Sequence, residues 1–318
     1  MKKLIYIVES KKWVQYQRII KIKKLQNQFD FLILTPMQFY YLWLFGLFRK
    51  RHIIFSSWRL IIYLQNKKKN IFNDNDFSFF LASITSHSNL NDLTKSIEIQ
   101  NLQFNKAINI LKKCKLVTVN SLILQDLLKN RISNLLYCPN GVDIDQFKYT
   151  PRNKIQYPIT IGIVGKERLV KNFLLFNKIK KYFENENRLI FKSLIINRSL
   201  SGALDHDGMC KFYESLDFYL CLSTQEGTPN PALEAASCGV PIISTNVGNM
   251  PELIKNDING YIIDNDFESI INLITSISNI DLIKYKSLSS NIRYSIEKSW
   301  SWHNKIDNFL KAYKMLLS

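Results

Sequence analysis

Two carboxylates, Glu226 and Glu234, stand in the stretch Ser223-Thr-Gln-Glu-Gly-Thr-Pro-Asn-Pro-Ala-Leu-Glu-Ala-Ala-Ser-Cys-Gly-Val-Pro241, with seven residues between them. An ionised carboxyl group accepts hydrogen bonds on both oxygens, which suits the vicinal hydroxyls of a sugar or a ribose. A helix starting between the two would turn its positive end and its first amides toward an anion such as phosphate. A nucleotide-activated sugar carries both features. The same spacing also fits a solvated loop acid followed by a first-turn helix acid. Three cations, Lys166, Arg168 and Lys171, crowd a second loop that begins at Gly165. They suit a diphosphate, or they form a solvated basic turn. His87 follows a long apolar run and is either structural or an acceptor-side group.

The elements that must hold these residues read as strand, loop, helix, strand. Phe218 to Ser223 is an apolar run with the character of a buried strand. Asn230 fits an N-cap, Pro231 the first helical turn and Gly239 the C-terminal cap, and Pro241 forbids continuation. Val240 to Thr245 is a further strand. Ile159 to Gly165 precedes the basic loop, and a helix from Asn172 to Phe183 would aim its start at the same place. Open α/β sheets bind ligands at the carboxyl ends of their strands. Adjacent Asp205, His206 and Asp207 point apart, so they read as a surface turn and not a metal site. Strands alternate with helices through both halves, which predicts two doubly wound parallel sheets.

The run Glu226-Gly-Thr-Pro-Asn-Pro-Ala-Leu-Glu-Ala-Ala-Ser-Cys-Gly-Val-Pro-Ile-Ile243 resembles the signature of glycosyltransferase family 4, the group 1 retaining transferases of GT-B fold. Asn246-Val-Gly-Asn-Met-Pro-Glu-Leu-Ile254 and Asn259-Gly260-Tyr-Ile-Ile are similar to the family's next segment. Tyr137-Cys-Pro-Asn-Gly-Val-Asp143 resembles its inter-domain segment. The likeness covers residues 137–318 well and residues 1–136 only by layout. It implies an α/β protein with two Rossmann-like domains facing across a cleft, which closes to exclude water. Residues 1–150 would bind the acceptor, residues 151–298 the nucleotide-sugar, and residues 299–318 would form a helix crossing back. Glu226 would contact the donor sugar and Glu234 the ribose hydroxyls. Gly227 and Thr228 would offer backbone amides, and Asn230 would join the donor-binding set. Gly165-Lys166 with Lys171-Asn172 resembles the family's Gly-Arg…Lys-Gly phosphate clamp. Lys166 keeps the charge and loses the bidentate geometry, and Arg168 compensates. No metal or other cofactor is expected, because lysines and a helix dipole can neutralise the phosphates. The family's glycine-rich loop after the first strand is absent, since Glu9-Ser-Lys-Lys-Trp13 stands there.

Composition sets bounds on the rest. The 318 residues are 46% hydrophobic and 13% aromatic, enough for two cores. Five cysteines without CxxC spacing read as reduced core residues of a cytoplasmic protein. The apolar run Leu4 to Val8 is too short for a signal core. Asp74-Asn75-Asp76 mimics a metal-binding DxD and is read as a turn. Residues 1–140 hold 22 Lys or Arg against 7 Asp or Glu, a net +15 of the chain's +17. Such a half suits an anionic surface, either nucleic acid or an acidic membrane leaflet. No zinc-finger, helix-turn-helix or RNA-recognition pattern supports nucleic acid. Residues 37–48, Met-Gln-Phe-Tyr-Tyr-Leu-Trp-Leu-Phe-Gly-Leu-Phe, predict a helix apolar nearly all round, either deeply buried or lying in a membrane interface. The expectation is a retaining transferase using a nucleotide-sugar, with a glycan or lipid-linked acceptor in cell-surface polysaccharide assembly, peripheral at the inner membrane face. The alternatives are an inactive nucleotide-sugar-binding relative and a basic nucleic-acid-binding protein.

Overall fold

The structure is a computed structural model that describes residues 2–10, 14–48, 50–84, 105, 107–152, 157–196 and 206–318. The chain divides into two compact units. One is Met1–Asn140 with Lys305–Ser318, and the other is Gly141–Asn304.

The first unit is built on six strands, β1 Lys2–Ile7, β2 Phe29–Leu34, β3 Ile53–Phe55, β4 Phe80–Ile84, β5 Leu116–Val119 and β6 Leu135–Tyr137. All pair in parallel, in the order β2-β1-β3-β4-β5-β6. Buried parallel strands read as continuous apolar runs, and Ile53-Ile-Phe and Phe80-Leu-Ala do. Helices α1 Val14–Leu25, α2 Pro36–Leu44, α3 Trp58–Lys67 and α4 Leu122–Leu128 follow β1, β2, β3 and β5. Thr35 and Gln38 close a capping box at the start of α2, with Pro36 in its first turn, and Ser57 caps α3. Phe39 and Trp43 of α2 are buried against Phe55, Phe72 and Phe80. The Trp43 indole N–H donates to the Ile71 carbonyl at 3.0 Å, which satisfies its only polar atom.

The helix expected over residues 37–48 thus ends at Leu44, and this stretch is not wholly buried. Its inner face is core, while Tyr41, Leu44, Phe45 and Leu47 are exposed, Phe45 by 80%. Asp74-Asn75-Asp76 opens a 3-10 turn, with Asp76 in a capping box with Asn73 and Asp74 paired to Lys113 at 2.6 Å. It is a structural turn, as read. Residues 97–104 and 106, half of the stretch from 97 to 114 that reads as a helix, lie outside the described residues.

The second unit has strands β7 Ile159–Gly165, β8 Leu189–Ile195, β9 Phe218–Cys221, β10 Ile242–Thr245 and β11 Gly260–Ile263, parallel in the order β11-β10-β9-β7-β8. Its helices are α5 Phe173–Tyr182, α6 His206–Glu214, α7 Asn230–Ser237, α8 Met250–Leu253, α9 Phe267–Ile277 and α10 Leu282–Ser295. The helix before β9 starts at His206, inside the Asp205-His206-Asp207 stretch that reads as a surface turn. The last helix, α11 Trp302–Leu317, packs Tyr313 edge-on to Phe29 and Phe31 of the first unit. It covers Arg18, whose guanidinium lies 5.6 Å from the Phe309 ring and donates to Tyr6 Oη at 2.9 Å. Trp300 and Trp302 are buried in the core.

In both sheets the chain turns outward in two directions from one strand, β1 in the first and β7 in the second. The connections after β1 and β3, and after β7 and β9, therefore part at a crevice.

Candidate active site

Strands β7 and β9 are neighbours, so the loops at their carboxyl ends must meet. The Thr224 amide donates to the Val170 carbonyl at 2.9 Å, joining the two backbones. Lys171 ends a 3-10 turn, Leu169–Lys171, and Asn172 after it takes a left-handed conformation at φ +56°, which swings the chain into α5. That turn sends the Lys171 ammonium to Glu226 Oε1 at 2.5 Å. Glu226 also accepts from Ser223 Oγ at 3.0 Å. The two ionic side chains are 18% and 15% exposed. Burial works against the Lys171 charge, but the Glu226 carboxylate outweighs it and holds the ammonium above the ordinary lysine value, even with Arg168 opposing. The Lys171 stem lies against Gly165, where an added Cβ would stand 3.3 Å from its Cδ.

Glu234 projects from the second turn of α7. Its Oε2 accepts from Tyr213 Oη at 2.7 Å. Burial and the adjacent carboxylate push the Tyr213 phenol well above its usual pKa, so it stays a donor. The far end of α7 is fixed by Arg293, whose Nη1 donates to the Ser237 and Phe147 carbonyls at 2.6 and 3.0 Å. Gly239, at φ +78°, ends the helix where a left-handed residue is needed.

The third loop, after β10, closes beneath the first two. Gly248 sits at φ +55°, and a Cβ there would lie 2.4 Å from the Gly227 carbonyl oxygen. Asn249 donates to Thr228 Oγ1 at 3.1 Å, and Thr245 Oγ1 donates to the Ser223 carbonyl at 2.6 Å. Three strand ends thus immobilise residues 223–229.

One detail differs from the expectation. Asn230 is not the N-cap: it is the first residue of α7, and Pro229 holds the cap position. A proline carries no side-chain acceptor, and the Asn230 amide is turned back to the Thr228 carbonyl at 2.9 Å. Pro231 has no N–H. The helix start therefore offers its dipole, while free amides are scarce.

The structure brings Lys171, Glu226, Gly227 and Thr228 into one loop cluster, and Glu234 stands on the helix α7 that follows this loop. Lys166 and Arg168 lie on the β7 loop, Lys166 half-buried and Arg168 exposed. His87 lies outside the described residues. Sequence reasoning missed Tyr213 and Ser223, which position the two glutamates. Ser223 stands three residues before Glu226, a spacing that signals a local hydrogen bond. Tyr213 sits in an apolar helix face and gives no such signal. Among the described residues no group of three His, Cys, Asp or Glu could hold a metal ion.

Tyr213→Phe tests the support of Glu234. It removes one hydrogen bond to a charged group, worth about 1.5–3 kcal/mol, while keeping the ring. Nucleotide affinity is expected to fall about tenfold with no loss of fold, as read by calorimetric titration and thermal melting.

Residues 144–294 match the family described as Glycosyl transferases group 1. That segment is therefore similar to a group 1 glycosyltransferase domain, and the fold is that of GT-B proteins. A sequence relative is the UDP-Gal:alpha-D-GlcNAc-diphosphoundecaprenol alpha-1,3-galactosyltransferase of Escherichia coli, 26% identical over 55% of this chain and 52% of its own length. Another is the O-antigen chain mannosyltransferase B of Escherichia coli, 28% identical over 36% of this chain and 29% of that protein. The chain thus spans about half or less of these relatives. Two solved structures share the fold throughout. HepE from Anabaena, in complex with UDP and glucose, has a TM-score of 0.70 at 14% identity, covering 99% of this chain and 100% of that one. Sucrose-phosphate synthase from Thermosynechococcus elongatus has a TM-score of 0.72 at 14% identity, covering 100% and 99%.

Proposed function

We propose that this chain is a retaining glycosyltransferase of family 4, moving a sugar from a nucleotide-sugar to a glycan or lipid-linked saccharide in cell-surface polysaccharide assembly. The observation that carries the reading is the Lys171–Glu226 pair at the crevice between β7 and β9, inside the segment that matches the group 1 family. A cation and a carboxylate held together with little exposure suit a ligand with both a diphosphate and hydroxyls.

In the reaction the bond from the sugar's anomeric carbon to the phosphate oxygen breaks, and its electron pair leaves with the nucleoside diphosphate. The acceptor hydroxyl forms a new bond to that carbon on the same face and passes its proton to the departing phosphate oxygen. Lys171, with Lys166 and Arg168, would neutralise the charge growing on the departing phosphate. Glu226 would orient the donor sugar, helped by the amides of Gly227 and Thr228 and by Asn230. Glu234, held by Tyr213, would accept from the ribose hydroxyls. His87 is proposed for the acceptor side. No metal is required in this scheme.

The galactosyltransferase relative is named for an acceptor linked to diphosphoundecaprenol, which supports a lipid-linked acceptor here. The net +15 of residues 1–140 and the exposed Tyr41, Leu44, Phe45 and Leu47 support a peripheral place on the anionic cytoplasmic leaflet. Among the described residues no helix is long and apolar enough to cross a membrane. A second reading, donor binding without transfer, is favoured only by the glycine-free stretch Glu9-Ser-Lys-Lys-Trp13. Product analysis separates the two. Incubation with UDP-sugars and lipid-linked saccharides should yield an axial or equatorial linkage matching the donor anomer, seen in the proton coupling constant. An inverted linkage would overturn retention, and donor binding without any product would overturn transfer.

A further inference from the structure

A buried polar atom without a partner lowers stability, so each one that a folded chain keeps calls for a cause. Two such atoms stand close together in the second unit. Gln225 Oε1 is buried and accepts no hydrogen bond from any described residue, and the same holds for Asn249 Oδ1. Asn249 is fully buried. Its Nδ2 already donates to Thr228 Oγ1 at 3.1 Å, so the end left over is the oxygen.

The two residues come from neighbouring strands and reach the same loop. Gln225 stands directly before Glu226 in the segment after β9, and Asn249 stands directly after Gly248 in the segment after β10. Those segments touch: a Cβ on Gly248 would lie 3.2 Å from Glu226 Cβ. The first segment is tied on one side by the Thr224 amide to Val170 and on the other by Thr228 to Asn249. A loop held at both ends cannot turn easily to give these oxygens a backbone donor.

The chemistry of the orphan atoms limits what they can meet. A carboxamide oxygen accepts hydrogen bonds and donates none, and an ionised phosphate has no hydrogen to offer it. The two oxygens, beside the Glu226 carboxylate, are therefore unsuited to the diphosphate and suit a group that presents several O–H bonds. A pyranose does so. Glu234 stands apart from this pair, on α7 with the Tyr213 hydroxyl at one oxygen, so the ribose side is separate.

We propose that Gln225 and Asn249 are specificity-determining residues for the donor sugar, each accepting from a ring hydroxyl, and that the donor is a hexose with those hydroxyls free. This assignment rests on the transferase reading and names the donor class that reading leaves open. A site built to pair with a hydroxyl rejects the analogue that lacks it, because the buried acceptor is then left alone.

The test is calorimetric titration with UDP-glucose, UDP-galactose and GDP-mannose beside UDP and GDP, followed by analogues of the donor that binds, each with fluorine in place of one hydroxyl. Fluorine nearly keeps the size and removes the donated hydrogen. At least one analogue should bind the wild type about tenfold or more weakly than its parent, and that penalty should vanish in Gln225→Met or in Asn249→Leu. Gln225→Met, an unbranched apolar exchange, should leave UDP and GDP affinity unchanged and melt no lower than the wild type, since it removes an unpaired oxygen. It keeps the test decisive if Asn249→Leu, at a fully buried position, does not fold. Analogues that all bind as well as the parent, a penalty that persists in every variant that folds, a lowered melting point for Gln225→Met, or a loss of UDP or GDP affinity as large as the loss for the sugar donor would each overturn the proposal. Wild-type protein that binds UDP or GDP but none of the three sugar donors would overturn it and leave the nucleotide site standing. Protein that binds none of the five ligands would overturn the donor reading beneath it.

Discussion

Lys171→Met is expected to lower transfer turnover at saturating donor by about a hundredfold to a thousandfold, the cost of removing one preorganised charge stabiliser from a partly desolvated site. The Lys171 side chain is 18% exposed, and its ammonium stands 2.5 Å from Glu226, with the left-handed residue Asn172 turning the chain directly after it. Its charge therefore acts where water screens it little. Methionine fills the same volume against Gly165 and carries no charge, so the loop keeps its packing. Lys171→Arg should recover part of the rate, since it restores the charge with a bulkier head. The check is steady-state kinetics of both variants beside thermal melts. Near-normal turnover in Lys171→Met would remove the lysine from the phosphate's path.

Asp217→Ala is expected to destabilise the second unit by about 3–5 kcal/mol, the range for breaking a buried pair by removing one partner. Asp217 precedes β9 and is 4% exposed. It accepts from the Thr160 amide at 2.7 Å and from Arg152. Arg152 also donates to the Glu214 and Leu216 carbonyls, each at 2.7 Å, and so ties the end of α6 to the residues leading into β7. Alanine strands a sheet N–H and a part-buried guanidinium together. Asp217→Asn keeps an acceptor for Thr160 and should cost clearly less. Burial lifts the Asp217 carboxyl above its usual value, against the pull of Arg152. A raised value in the folded state means that this group's contribution to stability falls as pH rises through the range just above the ordinary aspartate pKa. Asp217→Asn should remove that dependence. Urea unfolding across pH measures both effects, and an Asp217→Ala midpoint equal to the wild type would contradict the account.

The loops around Glu226 and Glu234 were legible because their local rules agree. Apolar runs at Phe218 and Val240, Gly239 at the helix end and prolines at 231 and 241 mark strand, helix and strand without tertiary help. The one slip there, Asn230, comes from a competing rule: Asn is a good cap, but Pro229 before it already fixes the chain's entry and leaves Asn230 helical. What sequence could not show is partnership across long separations. Tyr213 meets Glu234 and Arg152 meets Asp217 only because parallel neighbours bring their ends together. The twelve residues from Met37 to Phe48 show the same limit. Their composition is apolar apart from Gln38 and Gly46, yet burial divides them, with Phe39 and Trp43 inside and Tyr41, Leu44 and Phe45 outside.

The central claim is that Glu234 and its neighbours hold a nucleotide. The direct measurement is calorimetric titration of the protein with UDP, GDP, ADP and CMP, repeated on Glu234→Ala. The account predicts selective binding of one nucleotide, lost in the variant while its melting curve stays close to the wild type. Binding of none of the four by the folded protein, or unchanged affinity in Glu234→Ala, would contradict it.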